Sequence, residues 1–169
     1  MEKQIFITNG MARCGKDTFA KFVNDITPTL KYSSIDYIKV IAKMCGWDGK
    51  KTEKDRKFLS DLKVLTTQYN DLPFNMIKSK VEDFYEDKEH CVMIIDIREP
   101  VEIERAKLAF NAKTILIENN NIDIIDSNMA DANVFKYDYD YIIPNNGTLE
   151  EFQNKVYGFI YSEIINKVS

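Results

Sequence analysis

Histidine and tryptophan each occur once in these 169 residues, cysteine three times and proline four times. Each scarcity excludes something. Cys14, Cys45 and Cys91 are odd in number, widely spaced and outside any metal-ligand pattern. Reduced thiols of a cytoplasmic protein are therefore expected, rather than a disulfide framework or a thiolate metal centre. His90 stands in the polar stretch "EDKEH" ahead of a strand and reads as a solvated turn residue, not an acid–base group. No apolar run approaches the roughly 20 residues of a membrane span. The start "MEKQIFITNG" has neither the long apolar core nor the small-residue cleavage site of a secretory leader, so none is expected. Positive charge is short as well: the net charge is −4, which leaves no global field to draw in nucleic acid. An anionic substrate must then be held by a local cluster of cations, which directs attention to Arg13, Arg56, Arg98 and Arg105.

The composition, 44% hydrophobic and 30% charged, suits one soluble folded domain with a full core. Strand-like apolar runs recur at residues 4–8, 91–96, 113–117 and 139–143, with a weaker one at 31–35. Between them lie helical stretches with identifiable starts. Thr52 precedes "EKDRKFLSDLKVL", where Phe58, Leu59, Leu62 and Leu65 share one face as a core stripe. Pro100 suits the first turn of "PVEIERAKLAF". Thr148 with Glu151 forms a capping-box pattern before a stripe of Phe152, Val156, Phe159, Ile160 and Ile164. Apolar strands alternating with helices imply an α/β fold with a parallel sheet covered on both faces. Two polar excursions, 46–57 and 118–136, interrupt the alternation. The second is long enough to be a lid or binding loop.

"GMARCGKDT", residues 10–18, follows the first strand and opens a helix. Gly10, four residues, then Gly15-Lys16 is the spacing of a phosphate-binding loop. Glycines let the backbone curl with its N–H groups inward, and the following helix adds its positive end. Lys16 supplies a mobile charge for the outer phosphates. Asp17 stands where a hydroxyl usually ligates magnesium. Its carboxylate suits that hard cation directly or through water, and it equally suits the helix N-terminus as a stabilising acid. Thr18 keeps a hydroxyl one position later. In "MIIDIREPVEIERAK", Asp96 ends a strand and Arg98 follows, at the sheet edge where open α/β sheets bind ligands. The acid could hold magnesium and the arginine could grip a phosphate with two hydrogen bonds; a salt-bridged pair closing the strand is the alternative. Arg105, mid-helix, reads as a surface ion-pair partner of Glu102 or another neighbour.

The loop resembles that of the P-loop nucleoside and nucleotide kinases of the GKD-T type, in particular the bacteriophage-type deoxynucleoside monophosphate kinases. Animal-type phosphomevalonate kinases share the GKD loop. The resemblance implies a three-layer α/β/α domain over residues 1–169, with a five-stranded parallel sheet in the order 2-3-1-4-5. It implies an acceptor-binding region near 34–86 and a short lid near 118–136. ATP would be the donor, with magnesium. Gly10, Met11, Ala12, Arg13, Cys14, Gly15, Lys16, Asp17 and Thr18 would hold the donor phosphates, with Asp17, Thr18 and Asp96 towards the metal. Lys16, Arg13, Asp96 and Arg98 would carry the chemistry, Arg98 receiving the acceptor phosphate. "SSIDYIKVIAK" and "KTEKDRKFL" resemble acceptor-side segments, which makes Ser34, Lys39, Lys54 and Arg56 substrate-binding candidates. "DYIIPNNGTLEEF" resembles the last strand and loop, where Asn145, Asn146 and Gly147 would frame the donor base; the turn chemistry of Asn-Gly explains them equally.

One departure matters. Lids of this superfamily usually carry arginines for the transferring phosphoryl group, and 118–136 contains none, only Lys136. Either Arg13 and Lys16 carry that load, or transfer is slow, or the acceptor site differs. The expectation is a cytoplasmic ATP- and magnesium-dependent phosphotransferase acting on a (deoxy)nucleoside monophosphate, with no nucleic-acid or membrane partner and either a monomer or a homodimer. The alternatives are a kinase of phosphomevalonate or dephospho-coenzyme A, a nucleotide-binding module, or an NTP hydrolase.

Overall fold

The computed structural model of the protein describes residues 3–121 and 133–165. Its centre is a sheet of five strands, β1 (Gln4–Asn9), β2 (Thr29–Ser33), β3 (Val92–Asp96), β4 (Lys113–Glu118) and β5 (Tyr141–Pro144). They run in the order β2-β3-β1-β4-β5, every neighbouring pair parallel, as the resemblance implies. Between them lie α1 (Lys16–Ile26), α2 (Asp36–Met44), α3 (Glu53–Asn70), α4 (Leu72–Glu86) and α5 (Pro100–Phe110), and α6 (Leu149–Ile160) follows the last strand. No helix among the described residues is long and apolar enough to cross a membrane.

Successive side chains of a strand face opposite ways, and here both faces are apolar. Phe6, Val92, Ile94, Ile115 and Ile117 pack with Phe19 and Val23 of α1 and Phe152, Val156 and Ile160 of α6. Ile5, Ile7, Met93 and Ile95 pack instead with Val81 and Phe84 of α4 and Ile103 and Ala106 of α5. The sheet is therefore the middle of three layers. Because all strands are parallel, the C-terminal ends of β1, β3, β4 and β5 share one edge, and the first residues of α1 meet them there.

The local signals act as their chemistry requires. Thr52 and Asp55 form a reciprocal capping box at α3, and Thr148 and Glu151 form one at α6. Pro100 opens α5 in its first turn. The α3 stripe departs from expectation: Leu59 is buried and Leu62 half-buried against Ile38 and Ala42 of α2, but Phe58 and Leu65 are 36% and 63% exposed. α3 lies outside α2 and α4 and offers only a narrow seam to them.

Two strands are displaced from their expected positions, each for a hydrogen-bonding reason. β2 begins at Thr29 and ends at Ser33, because the Ser33 N–H donates to the Asp36 carboxylate at 2.9 Å and turns the chain into α2. β5 begins at Tyr141, because Tyr139 and Asp140 are committed elsewhere. The Asp140 carboxylate accepts from the Thr114 N–H at 2.8 Å and its hydroxyl at 2.9 Å, and pairs with Lys107 at 2.6 Å. His90 is half-buried, 2.7 Å from the Asp87 carboxylate in the turn after α4.

Burial alone would raise the Asp140 carboxyl, but its bonds to Lys107 and Thr114 hold it below the usual carboxylate range. Its contribution to stability is therefore present above the unfolded value of about 4 and lost as pH falls through the lower folded value. Asp140→Asn should lower the melting temperature at pH 7, and the gap from the wild type should close as pH is taken towards 3. A gap independent of pH in thermal melts would contradict this.

Candidate active site

The loop between β1 and α1 is shaped by residues far away in sequence. Gly10 has φ +149° and Gly15 φ +109°, conformations that side chains rarely adopt. A Cβ on Gly10 would stand 2.5 Å from the Ile117 carbonyl oxygen and 2.5 Å from the Cys14 sulfur; one on Gly15 would stand 2.5 Å from the Asn145 side-chain nitrogen. β4 and the segment after β5 thus form the mould against which the loop is pressed. Asn145 completes it, its side-chain N–H donating to the Cys14 carbonyl at 2.9 Å. Met11 and Cys14 are buried and anchor the loop; Ala12 and Arg13 are exposed at its crest. Burial lifts the Cys14 thiol above its ordinary value, an inert structural position despite the Lys16 charge beside it. Lys16 arcs back over the loop, its ammonium donating to the carbonyls of Gly10 at 2.6 Å and Met11 at 2.9 Å. Its charge therefore sits in the concavity that the loop encloses.

Strand parity supplies the facing wall. Thr8 of β1 pairs in register with Asp96 of β3, and Asp96 with Ser33 of β2. Both Thr8 and Asp96 continue the row of Phe6 and Ile94, which faces α1. Lys31, two residues before Ser33, lies on that side too. The Thr8 hydroxyl donates to Asp96, and the Lys31 ammonium bridges Asp96, at 3.1 Å, and Asp17 of α1. The Lys31 hydrogen bond holds the Asp17 carboxyl below the usual range. Burial works against the Lys31 charge, but Asp17 and Asp96 outweigh it and keep the ammonium above its ordinary value. The expected Asp96–metal and Asp17–metal positions thus converge on a single cation that the sequence reading did not include. A strand expected to start at residue 31 puts this lysine at its tip; the observed strand puts it mid-strand with a defined face.

Asn9 was likewise not foreseen. It is wholly buried, its carbonyl oxygen accepting from the Gly10 N–H at 2.8 Å. Its amide donates to the Arg98 carbonyl at 3.0 Å and to the Tyr139 hydroxyl at 2.7 Å. Tyr139 passes the chain on to the Val134 carbonyl at 2.8 Å, and burial pushes its phenol up to about 12. One amide therefore ties the start of the phosphate loop to the backbone of Arg98 and to the segment re-entering after residue 132. The sequence signal was a polar residue at the end of an apolar strand.

The remaining candidates are spread more widely. Ser34 is buried, its N–H donating to the Asp96 carbonyl at 3.1 Å. Lys39 pairs with Asp36 at 2.9 Å on α2. Lys54 and Arg56 are exposed on the first turn of α3. Thr18 is half-buried beside Asp17. Asn146 accepts from the Asn120 N–H at 2.7 Å and its carbonyl from Asn121 at 3.0 Å, so these residues fasten the start of the expected lid to the end of the sheet; Gly147 lies under the Glu151 carboxylate. Residues 122–132 of that lid lie outside the described residues. Arg105 pairs with Asp71 rather than Glu102 and covers the Phe74 ring.

Among the described residues no group of three or more His, Cys, Asp and Glu side chains converges for a metal. Magnesium does not require one: it takes one or two carboxylates and completes its octahedron with water and substrate phosphates. Asp17 and Asp96, two hard oxygen donors already turned towards one positive charge beside the loop, fit that pattern.

Residues 71–156, just over half of the chain, match the family model described as deoxynucleotide monophosphate kinase. The match includes Asp96, Arg98 and Asn145–Thr148 and leaves out the phosphate loop. No curated protein matches the chain in sequence. Among solved structures, TT1252 from Thermus thermophilus is similar at a TM-score of 0.54 and 13% identity, over 97% of this chain and 99% of that one. Shikimate kinase from Acinetobacter baumannii, in complex with shikimate, is similar at 0.53 and 9% identity, over 100% and 97%. At such identities the likeness concerns the fold alone: this sheet order with a loop before α1 is that of P-loop kinases.

Arg13 is strained, at φ +67° without being glycine. Arg13→Gly should relieve about 1 kcal/mol and raise the melting temperature by about 2–4 °C. A melting temperature that falls would show that the side chain stabilises the loop and does not merely decorate it.

Proposed function

This chain belongs to the deoxynucleotide monophosphate kinase family, whose activity is phosphoryl transfer, and from that premise we propose that it moves the γ-phosphoryl of ATP to a deoxynucleoside monophosphate. An oxygen of the acceptor phosphate forms the new P–O bond, the bond between the γ-phosphorus and the β–γ bridging oxygen breaks, and ADP leaves. The observation that carries this reading is the convergence at one sheet edge of the Gly10–Lys16 loop, with Lys16 folded into it, and the Asp96–Arg98 turn that the family match contains.

Little covalent chemistry falls to the protein in such a transfer; it positions two anions and offsets their repulsion. The loop amides, the N-terminus of α1 and Lys16 hold the donor phosphates, with Arg13 at the crest of the loop as a further cation. Arg98 clamps the acceptor phosphate, its backbone set by Asn9 at a fixed offset from the loop. Asp17 and Asp96 would hold magnesium, which would supply positive charge for the donor phosphates. Ser34 and Lys39 of the 34–86 region border the acceptor, and Lys54 and Arg56 present charge from α3. Asn145 keeps Gly15 in its cradle, and Asn146 and Gly147 border the donor base.

ADP formation, measured by a coupled assay over a panel of deoxynucleoside monophosphates, tests the reading: turnover should depend on one or more of them. Equal turnover without any acceptor would mark a hydrolase, and ATP binding without turnover a binding module. Lys16→Ala should abolish stabilisation by ATP in thermal-shift measurements. Arg98→Ala should raise KM for the monophosphate about tenfold or more, as loss of a charge-assisted hydrogen bond implies, with ATP binding unchanged within about threefold. Equal loss of both ligands would refute the division of the site.

A further inference from the structure

Lys31 has no place in the function as described so far, yet it holds the two carboxylates assigned to the metal. Three elements bring it there. β2 presents it on the α1 side of the sheet, β3 ends in Asp96, and α1 begins with Lys16 and Asp17. Its ammonium contacts both acids, and Asp96 is held from its other oxygen by the buried Thr8 hydroxyl. The Asp17 side chain is 97% exposed, so its end of the pair is solvated and weakly bound, while the Lys31 side chain is half-buried. Asp96 is fixed, 18% exposed and tied to β1. A monovalent cation that bridges one fixed and one solvated carboxylate is open to exchange for a divalent one.

We propose that Lys31 is the resident counter-ion of the metal position and a charge-compensating residue of the transfer. Without metal it keeps Asp17 and Asp96 from repelling one another and aims both at one point. With magnesium and nucleotide bound, Lys31 yields the carboxylates to the metal, and its ammonium turns on its four-carbon stem to the phosphoryl group passing beside Lys16. That supplies, from β2, a positive charge for which the segment 118–136 has no arginine. The second half of this proposal rests on the phosphotransferase reading above; the first half does not.

The test separates them. Manganese binding to the nucleotide-free full chain is measured by electron paramagnetic resonance at low salt, where charge effects are least screened. Lys31→Met should bind manganese at least about fivefold more tightly than the wild type, since the competing ammonium is gone. Lys31→Arg, which grips carboxylates with a fixed fork, should bind it no more tightly than the wild type. Manganese affinity unchanged in Lys31→Met, or raised equally in Lys31→Arg, would overturn the counter-ion. In turnover with magnesium and ATP, Lys31→Met should lose about a hundredfold in kcat, the scale of removing one transition-state donor, with KM for ATP within about threefold. Loss confined to KM, or no loss, would overturn the compensating role. If Lys31→Met fails to fold, as judged by circular dichroism, Lys31→Gln takes its place in both arms. A wild type without acceptor-dependent turnover would sink the phosphotransferase reading, while the manganese comparison would still decide the counter-ion.

Discussion

The pleat of a parallel sheet constrains everything at this site. A shift of one residue in any strand would carry its side chains to the opposite face. The pairing of Thr8 with Asp96, and of Asp96 with Ser33, places a hydroxyl, an acid and, two residues back, a lysine on the face shared with α1. Asn9, next to Thr8, necessarily faces the other way and meets Arg98 and Tyr139 on the α5 side. The apolar residues of both faces enforce this register. Ile5 and Ile7 cannot leave their core with α4 and α5 without driving Phe6 out of its own. The hydrophobic packing of the strands thus determines which polar groups meet at their ends.

Electrostatics sets what an acidic chain needs from its few cations at this end of the sheet. Two unit charges about 4 Å apart near a protein surface interact by about 4 kcal/mol, so two phosphate groups brought together need positive charge close at hand. The net charge of −4 offers no help from a distance. Lys16, Arg13, Arg98 and Lys31 come from the loop, from its crest, from the turn after β3 and from β2. Elements distant in sequence therefore reach one end of the sheet, and the acids Asp17 and Asp96 keep the Lys31 charge in place.

The parallel α/β class and the phosphate loop were legible because each rests on a local pattern: apolar runs, capping boxes, and a glycine spacing that precedes a helix; the sheet order came from the family resemblance. Thr148 with Glu151 and Pro100 acted as their chemistry dictates. What stayed hidden was relational. Lys31 is one lysine among many until its strand has a register, and a two-residue error in placing β2 was enough to conceal it. Asn9 looked like the end of a strand; its role depends on a tyrosine much later in the chain. Leu65 and Phe58 kept helical spacing yet remain exposed, since spacing tells which residues share a face and not whether anything covers it. Arg105 found Asp71 because the turn between α3 and α4 brings that acid to α5, a proximity that no sequence separation announces.

The mould around the phosphate loop has a temporal side. Its walls are the Ile117 carbonyl and the Asn145 amide, and both are synthesised after the loop itself. A nascent chain would display the whole glycine-lysine signature long before the surfaces that give it shape exist. The loop accordingly takes its shape only once the closing strand has followed it, and a nascent chain that stops short of that strand carries the motif without its mould.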